Sequence, residues 1–298
     1  DSISMTLNGR QIDLRVATLP TVYGEKVVMR VLDKGQALLR LEELGFIPET
    51  LERYEHSYKK PYGAILVTGP TGSGKSTTLY ATLNQVNDAS RNIITVEDPV
   101  EYRLAGVNQV QIHPKAGLTF ASALRSILRS DPDVVLVGEI RDRETAIIAV
   151  EAALTGHLLL STLHTNDAAS TPLRLVEMGV EPFLVTSALD SVVGQRLARR
   201  LCDKCKEPHQ ASEAELVEAG FLSDDLAQGD WPTVHRAIGC TACGRTGYRG
   251  RFAIHEVMTI TEDIERLIIE RRSTEDIQKM AMMQGMITMR QDLSLIHI

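Results

Sequence analysis

The run GPTGSGKS at positions 69–76 matches the pattern G-x-x-x-x-G-K-[ST] at every fixed position. In such a loop, glycines let the backbone close tightly so that successive N–H groups point inward around a phosphate. The pattern indicates a phosphate-binding loop only where it follows a strand and precedes a helix. Here an apolar run at 64–67 precedes it and a helix is expected from Lys75. The sequence therefore predicts a phosphate-binding loop at the N-terminus of a helix rather than a chance glycine-rich turn.

Nine consecutive residues are expected to contact the nucleotide: Gly69, Pro70, Thr71, Gly72, Ser73, Gly74, Lys75, Ser76 and Thr77. Within this loop, Lys75 is expected to bridge the β- and γ-phosphates of ATP, and the Ser76 hydroxyl is expected to bind Mg²⁺.

Strand-like and helical segments alternate from residue 63 onward. Short β-branched runs at 92–96, 134–137 and 158–161 are separated by helical segments at 120–129 and 143–154. This alternation is typical of an α/β fold with a parallel sheet covered on both faces. Residues 1–34 are predicted as strands and turns, 41–58 as a helical connector, and 263–290 as closing helices.

Acidic residues follow two of these predicted strands. Glu139 comes after 134–137, where a carboxylate can hold Mg²⁺ through water or polarise an attacking water. The alternative is an acid that caps the next helix. The cluster 97–101 follows 92–96 and offers a general base, unless it is only an acidic turn set by Pro99. His164 follows 158–161 and is a candidate sensor of the γ-phosphate, or an ordinary polar residue.

All four cysteines stand in two C-x-x-C pairs. Each pair places two thiolates on a tight turn, and four thiolates complete a tetrahedral site that suits Zn²⁺. We therefore predict a closed, structural zinc site formed by Cys202, Cys205, Cys240 and Cys243, with a helix near 213–220 between the pairs. Two disulfides are the alternative, which a cytoplasmic setting disfavours.

The net charge of the chain and its apolar stretches indicate whether it binds nucleic acid and whether it spans a membrane. The chain has 32 Lys and Arg residues against 39 Asp and Glu, a net charge of -7 and a pI near 5.7. An acidic chain is not expected to bind nucleic acid generally. No apolar stretch approaches the roughly 18 residues of a membrane span, and the first ten residues lack the plan of a signal peptide. We expect a soluble, intracellular protein without membrane insertion, whose membrane association comes through a partner.

Four segments in chain order resemble the Walker A, Asp box, Walker B and His box of the type II/IV secretion ATPase superfamily: GPTGSGKS, TVEDPVEY, SDPDVVLVGEIRDRETA and TGHLLLSTLHTND. The resemblance covers residues 10–290 and is strongest to type II secretion and type IV pilus assembly ATPases. It implies an ATP-hydrolysing homohexamer that powers pilin or pseudopilin polymerisation. It also implies a cytoplasmic location, peripheral at the inner membrane through a platform protein as partner. It also implies Glu139 as the Walker B acid, Glu101 as the water-activating base, and His164 near the γ-phosphate.

The same resemblance implies the fold, an α/β chain with a RecA-like P-loop ATPase domain, a partial PAS-like N-terminal lobe and a tetracysteine zinc subdomain. In that lobe, Arg15 and Arg30 match two arginines that reach the nucleotide. The expected divisions are the lobe at 1–40, a linker at 41–60, the ATPase domain at 61–200, the zinc subdomain at 201–256, C-terminal helices at 257–292 and a non-native tail at 293–298.

Other functions stay open on sequence alone. A DNA-translocating RecA-like ATPase is disfavoured by the acidic pI. A pilus retraction ATPase generally lacks the tetracysteine motif. A scaffold that binds ATP without hydrolysis is disfavoured by the intact Lys75, Glu101, Glu139 and His164. Pilus assembly and type II secretion share every motif above, so the sequence does not separate them.

Overall fold

The structure is a computed structural model that describes residues 2–7, 10–33, 39–219 and 233–297. Its first part is a three-stranded antiparallel sheet of β1 (Ser2–Leu7), β2 (Arg10–Thr21) and β3 (Gly24–Asp33), in that order. The turn between β2 and β3 is almost fully exposed. The strands predicted for residues 1–34 are thus confirmed where they are described, whereas the PAS-like label stays a prediction.

Six further strands run through the centre of the chain, and their bounds are β4 (Gly63–Thr68), β5 (Ile93–Glu97), β6 (Asn108–Gln111), β7 (Val134–Val137), β8 (Leu158–Leu163) and β9 (Leu189–Leu201). A small antiparallel pair follows, β10 (Lys206–His209) with β11 (Val234–Ala237), and then β12 (Tyr248–Thr259). The large sheet has the order β12-β9-β4-β8-β7-β5-β6. Its neighbours are parallel except for β9 and β12, which are antiparallel. The predicted α/β fold with a mostly parallel sheet is confirmed.

Helices cover both faces of this sheet. One face carries the 3₁₀ helix Leu41–Leu44, α1 (Pro48–Tyr58) and α2 (Lys75–Val86). The other carries α3 (Phe120–Ile127), α4 (Arg143–Leu154), α5 (Ser170–Glu177) and α6 (Pro182–Ala188). The remaining described α-helices are α7 (Glu213–Ala219), α8 (Glu262–Ile269), α9 (Thr274–Met283) and α10 (Met289–His297), and two further 3₁₀ helices span Pro114–Ala116 and Thr241–Cys243.

The core consists of two apolar layers, one on each side of the sheet. Strand β4 shows why: it is buried along its whole length, and its residues alternate between the layers. Ala64 and Leu66 join the layer under α3 to α6, whereas Ile65 and Val67 join the layer under α1 and α2. Side chains on successive strand residues point to opposite faces, so a strand covered on both sides is apolar throughout.

Strands β9 and β12 extend the sheet beyond the predicted series. β12 begins within the segment predicted as a zinc subdomain and ends three residues beyond it, yet it pairs with β9 along the edge of the large sheet. The domain divisions themselves stay predictions. The helix expected at 213–220 is present over Glu213–Ala219, and Gly220 lies outside the described residues.

The C-terminal helix α10 runs through residues 293–297, and Ser294 on it is buried. The backbone of the predicted non-native tail is therefore helical as far as it is described. None of the described helices is long and apolar enough to cross a membrane.

Candidate functional site

The phosphate-binding loop joins β4 to α2, as the motif requires. Gly69, Gly72 and Gly74 have φ values of 145°, 80° and 90°, which side chains with a Cβ rarely adopt. Gly74 is also the residue that precedes the first turn of α2. The loop therefore places backbone N–H groups and a helix N-terminus at one point, an arrangement that attracts phosphate.

Lys75 lies inside this loop. Its ammonium donates hydrogen bonds to the carbonyl oxygens of Gly69 at 2.7 Å and Pro70 at 3.0 Å. The residue is only 8% exposed. Burial lowers the pKa of Lys75, and the negative charge of Glu139 partly opposes that shift. The predicted Lys75 and Glu139 thus lie close enough for their charges to interact.

Glu139 is held at the end of β7 by its neighbours in the chain. The Gly138 N–H donates to the Val96 carbonyl of β5 at 2.8 Å. On the other side, the Thr162 hydroxyl of β8 donates to the Gly138 carbonyl at 2.8 Å, and the Ile140 N–H donates to the Thr162 carbonyl at 3.0 Å. The segment is therefore fixed between two strand ends at the carboxyl edge of the sheet.

The carboxylate of Glu139 has two cationic or titratable neighbours. Its Oε2 lies 2.6 Å from Nε of Arg141 and 3.6 Å from Nε2 of His164. The hydrogen bond to Glu139 raises the pKa of Arg141. Glu139 does not cap α4, because the Asp142 side chain does so by accepting the Thr145 N–H at 2.8 Å. The alternative reading of Glu139 as a helix cap is therefore wrong.

His164 follows β8 in a loop anchored to the strand that leads into the phosphate-binding loop. The Thr165 N–H donates to the hydroxyl of Thr68, the last residue of β4, at 3.0 Å. The same Thr68 hydroxyl contacts the Thr165 hydroxyl, which also lies 2.6 Å from the Thr171 hydroxyl on α5. These contacts hold His164 beside Glu139 at the edge of the sheet.

The acidic cluster 97–101, which begins at the last residue of β5, has one clearly structural member. Glu97 is 4% exposed, and its carboxylate accepts hydrogen bonds from the hydroxyls of Tyr80 and Thr95 and from the Gln109 amide. Three donors stabilise a buried carboxylate in place. The Tyr80 hydroxyl also accepts the Glu101 N–H at 3.2 Å. Glu97 thus anchors the turn, while Glu101 is half-buried beyond it and its role as base stays a prediction.

Oxygen donors suited to Mg²⁺ occur at this edge. Ser76 and Thr77 are exposed on the first turn of α2, and Glu139 supplies a partly buried carboxylate. Mg²⁺ prefers hydroxyl, carboxylate and phosphate oxygens together with water. The residues present fit that ion.

Arg15 and Arg30 lie in the N-terminal sheet, where the register of β2 and β3 places them directly opposite each other. Arg30 is exposed, and the side chain of Arg15 lies outside the described part. Within the described ranges, no hydrogen bond or ion pair joins Arg30 to the phosphate-binding loop. The described contacts therefore do not place Arg30 at the site within one chain.

The four cysteines converge as predicted. Their Sγ atoms all lie within 4.8 Å of one another, and three separations are 3.8 to 3.9 Å. Four sulfurs about 2.3 Å from a central Zn²⁺ would be about 3.8 Å apart, whereas a disulfide needs about 2.05 Å. The disulfide alternative is therefore wrong for this geometry. N–H groups of Cys240 and Gly247 point at the Cys243 sulfur at 3.1 and 3.2 Å, which favours a thiolate.

Sequence reasoning missed the residues that hold the site from outside the motifs. Thr68, Tyr80 and Gln195 each make hydrogen bonds to a motif segment. Tyr80 lies on a predicted helix, and Gln195 lies on a strand that the sequence analysis does not predict. Their polar atoms find partners 17 to 122 residues away, so no local signal identifies them.

Comparison with known proteins gives a consistent result. Residues 1–296 match the family model described as type II/IV secretion system protein. The chain is 51% identical over 281 residues to the type IV pilus assembly ATPase PilB of Thermus thermophilus, which covers 94% of this chain and 31% of the relative. It is 52% identical over 283 residues to the type II secretion system protein E of Pseudomonas aeruginosa, which covers 95% of this chain and 55% of that relative. The chain thus spans less than two thirds of either relative.

Among solved structures, the pilus retraction motor PilT with bound ADP aligns with a TM-score of 0.65 at 27% identity. The alignment covers 99% of this chain and 76% of the PilT chain. Sequence identity to the assembly and secretion proteins is about twice as high as to the retraction motor.

Proposed function

This chain belongs to the type II/IV secretion system protein family, and we propose that it is the ATP-hydrolysing part of a motor for type IV pilus assembly or type II secretion. One observation carries the proposal. Lys75, Glu139 and His164 come from three separate segments, and the fold gathers them around the phosphate-binding loop at one edge of a parallel sheet. Ligands of open α/β sheets bind at this edge.

The proposed chemistry follows from the positions of these groups. The loop N–H groups and the N-terminus of α2 bind the phosphates of ATP, and Lys75 moves from the loop carbonyls to the β- and γ-phosphates. Ser76 and Glu139 hold Mg²⁺, which neutralises charge on the transferring phosphoryl group when bound. Glu101 accepts the proton of the attacking water, and His164 contacts the γ-phosphate beside Glu139.

The larger assembly is part of the same proposal. The domain with the large sheet is RecA-like, the N-terminal sheet belongs to a PAS-like lobe, and six chains form a ring. An inner-membrane platform protein binds the ring on its cytoplasmic side. The names of the relatives, pilus assembly ATPase and type II secretion protein, support this placement.

We further propose that Cys202, Cys205, Cys240 and Cys243 hold one structural Zn²⁺. The sulfur separations support it, and four sulfur ligands leave no open position for a substrate. The cluster also favours assembly or secretion over pilus retraction, as does the difference in sequence identity. The net charge of -7 disfavours a DNA translocase.

Nucleotide binding and steady-state ATP hydrolysis of the parent chain and of Lys75→Ala test the proposed function. The parent is expected to bind and hydrolyse ATP, and Lys75→Ala is expected to lose nucleotide binding because the γ-phosphate loses its buried cation. Lys59→Ala, which changes an exposed lysine paired with Glu55 on α1, is the matched control. A parent chain without ATP hydrolysis, or a Lys75→Ala variant with parental affinity, contradicts the proposal.

A further inference from the structure

Gln195 contacts the phosphate-binding loop from a strand outside all four nucleotide motifs. It lies on β9, whose Gly194 pairs with Thr68 at the end of β4, so Gln195 is level with the start of the loop. The residue is 2% exposed. Its Nε2 donates to the Ser73 carbonyl at 2.9 Å, and its Oε1 accepts the Thr78 hydroxyl at 2.7 Å. One amide thus joins the loop to the first turns of α2.

The loop is also in direct steric contact with Gln195. A Cβ added to Gly69 would lie 2.2 Å from the Gln195 carbonyl oxygen, and one added to Gly74 would lie 2.9 Å from Nε2. Both distances are shorter than a van der Waals contact. The loop therefore passes so close to Gln195 that neither glycine has room for a side chain: Gly69 faces its backbone carbonyl and Gly74 its side-chain amide.

The chemistry of the side chain matches its two partners. A loop whose N–H groups point at a phosphate turns carbonyls such as that of Ser73 away from it, and a buried carbonyl needs a donor. An amide is able to donate to a carbonyl and accept from a hydroxyl at the same time. A carboxylate has no donor for Ser73, and an aliphatic side chain has neither group.

From these contacts we infer that Gln195 is a positioning residue that holds the phosphate-binding loop in its binding shape. It touches no phosphate itself and acts through Ser73 and Thr78. The inference rests on the proposed function, since the loop must bind nucleotide for its shape to matter.

The test compares Gln195→Met, which keeps the length of the side chain, with Ser191→Ala on the same strand. Ser191 is buried, and its hydroxyl has no hydrogen-bond partner in the described part of the chain, so it reports packing of β9 alone. Dissociation constants for fluorescent ADP and ATP analogues are measured together with KM and kcat. Gln195→Met is expected to raise the dissociation constants of the ADP and ATP analogues by the same factor, about tenfold. The reason is that two hydrogen bonds that shape the shared phosphate site are lost. KM rises accordingly, kcat at saturation changes little, and Ser191→Ala behaves as the parent.

A second pair of variants approaches the same contact from α2, in case Gln195→Met does not fold. Thr78→Val removes the hydroxyl and is expected to weaken nucleotide binding. Thr78→Ser keeps the hydroxyl and is expected to bind nucleotide with parental affinity. The double variant Gln195→Met/Thr78→Val is expected to bind nucleotide about as weakly as the weaker single variant. Both changes break the same link between the loop and α2 through the Gln195 amide, so their effects on affinity do not add. Parental affinity in Gln195→Met or Thr78→Val, equal loss in Ser191→Ala, or additive losses overturn the inference. A parent chain that binds no nucleotide overturns the proposed function, and the inference with it.

Discussion

Nε2 of His164 lies 3.6 Å from Oε2 of Glu139, and the two residues come from loops that follow neighbouring parallel strands. Arg141 binds the same carboxylate oxygen at 2.6 Å. The Glu139 carboxylate therefore interacts with Arg141, His164 and Lys75. A substitution that removes only its charge tests its role.

Glu139→Gln keeps the shape of the side chain but removes its charge. We expect the variant to bind ATP and to hydrolyse it slower by orders of magnitude, because preorganised charge at the reacting phosphate is lost. Nucleotide binding and single-turnover hydrolysis measure the two effects separately. Glu144→Gln, at an exposed glutamate paired with Arg125, is the control. Turnover at the parental rate in Glu139→Gln would show that this acid is not the Walker B residue.

The Tyr80 hydroxyl connects α2 to the turn after β5. Tyr80→Phe removes a donor from the buried Glu97 carboxylate and the oxygen that accepts the Glu101 N–H. We expect a loss of about 1–3 kcal/mol in the free energy of unfolding. We also expect a lower kcat with unchanged nucleotide affinity, because the loop around Lys75 is untouched.

Tyr54→Phe provides the matched control for Tyr80→Phe. The Tyr54 hydroxyl on α1 is also buried, and it lies 2.5 Å from the hydroxyl of Thr82 on α2, the helix that carries Tyr80. No described hydrogen bond joins this hydroxyl to the acidic turn. The free energy of unfolding from chemical denaturation and kcat are measured for both variants. If Tyr54→Phe lowers kcat as much as Tyr80→Phe does, the effect is general destabilisation and not the position of Glu101.

The local parts of the fold were predictable, and the non-local parts were not. Strand β7 and helix α4 have the predicted bounds, because each is a short, strongly patterned segment ended by its own turn or cap. Strand β9 was not predicted. Its first half is buried, but Arg196, Arg199 and Arg200 interrupt the apolar pattern of its second half. Its place in the sheet is set by pairing with β4, more than a hundred residues earlier.

The same distinction applies to the site. Lys75, Glu139 and the cysteines belong to motifs in which spacing alone predicts the chemistry. Glu97 and Glu101 stand in one acidic cluster, and only the burial of Glu97 beneath Tyr80 distinguishes an anchoring acid from a candidate base. Burial depends on the packing of α2 against the sheet, which a one-dimensional pattern does not contain.

The zinc proposal predicts about one Zn²⁺ per purified chain. Cys202→Ser is expected to lose zinc and unfold at a lower temperature, because one of four ligands is gone, while nucleotide affinity measured below that temperature is retained. Thr241→Ser, which leaves all four thiolates in place, is the control. Elemental analysis and thermal unfolding are the measurements. Four titratable thiols in the parent chain without any zinc would refute the site.

Burial of His255 predicts a pH-dependent stability. The ring is fully buried, stacks on Phe46 with centroids 3.6 Å apart, and neither ring nitrogen has a hydrogen-bond partner in the described part of the chain. Burial lowers the pKa of His255 from 6.5 to about 3. Between these values the unfolded chain binds a proton that the folded chain does not. The contribution to stability is therefore complete above pH 6.5 and decreases as the pH falls, by up to about 1.4 kcal/mol per pH unit.

His255→Phe keeps an aromatic ring and removes the titration, so its unfolding free energy is expected to depend less on pH between 6.5 and 3. Asp292 accepts a hydrogen bond from the backbone N–H of His255, and burial raises the pKa of Asp292 to about 6, which changes stability with pH in the opposite direction. Because both proteins contain Asp292, the difference between their pH profiles isolates the histidine. His113→Phe, at an exposed histidine, is the control. Parallel profiles for parent and His255→Phe would show that the pKa of His255 is the same in the folded and the unfolded chain.

Arg15 and Arg30 test whether the chain is a motor rather than a simple hydrolase. They face each other across β2 and β3, in a part of the sequence far from the phosphate-binding loop. The alternative is that both are ordinary surface charges, whose removal changes stability by no more than about half a kcal/mol. Our hypothesis is that the N-terminal lobe closes over ATP and both guanidiniums meet the γ-phosphate, whose loss then releases the lobe.

Arg15→Ala and Arg30→Ala are therefore expected to fold and bind ADP, yet to lose ATPase activity by about a hundredfold or more, as arginine fingers do. Lys26→Ala, at an exposed cation on the same strand as Arg30, should keep parental turnover and so separates a specific contact from the loss of surface charge. Because six chains are proposed to form the ring, ATPase rates are compared only on preparations whose hexameric mass has been verified. If both arginine variants turn over ATP like Lys26→Ala, the two arginines are surface charges and do not couple hydrolysis to movement of the lobe.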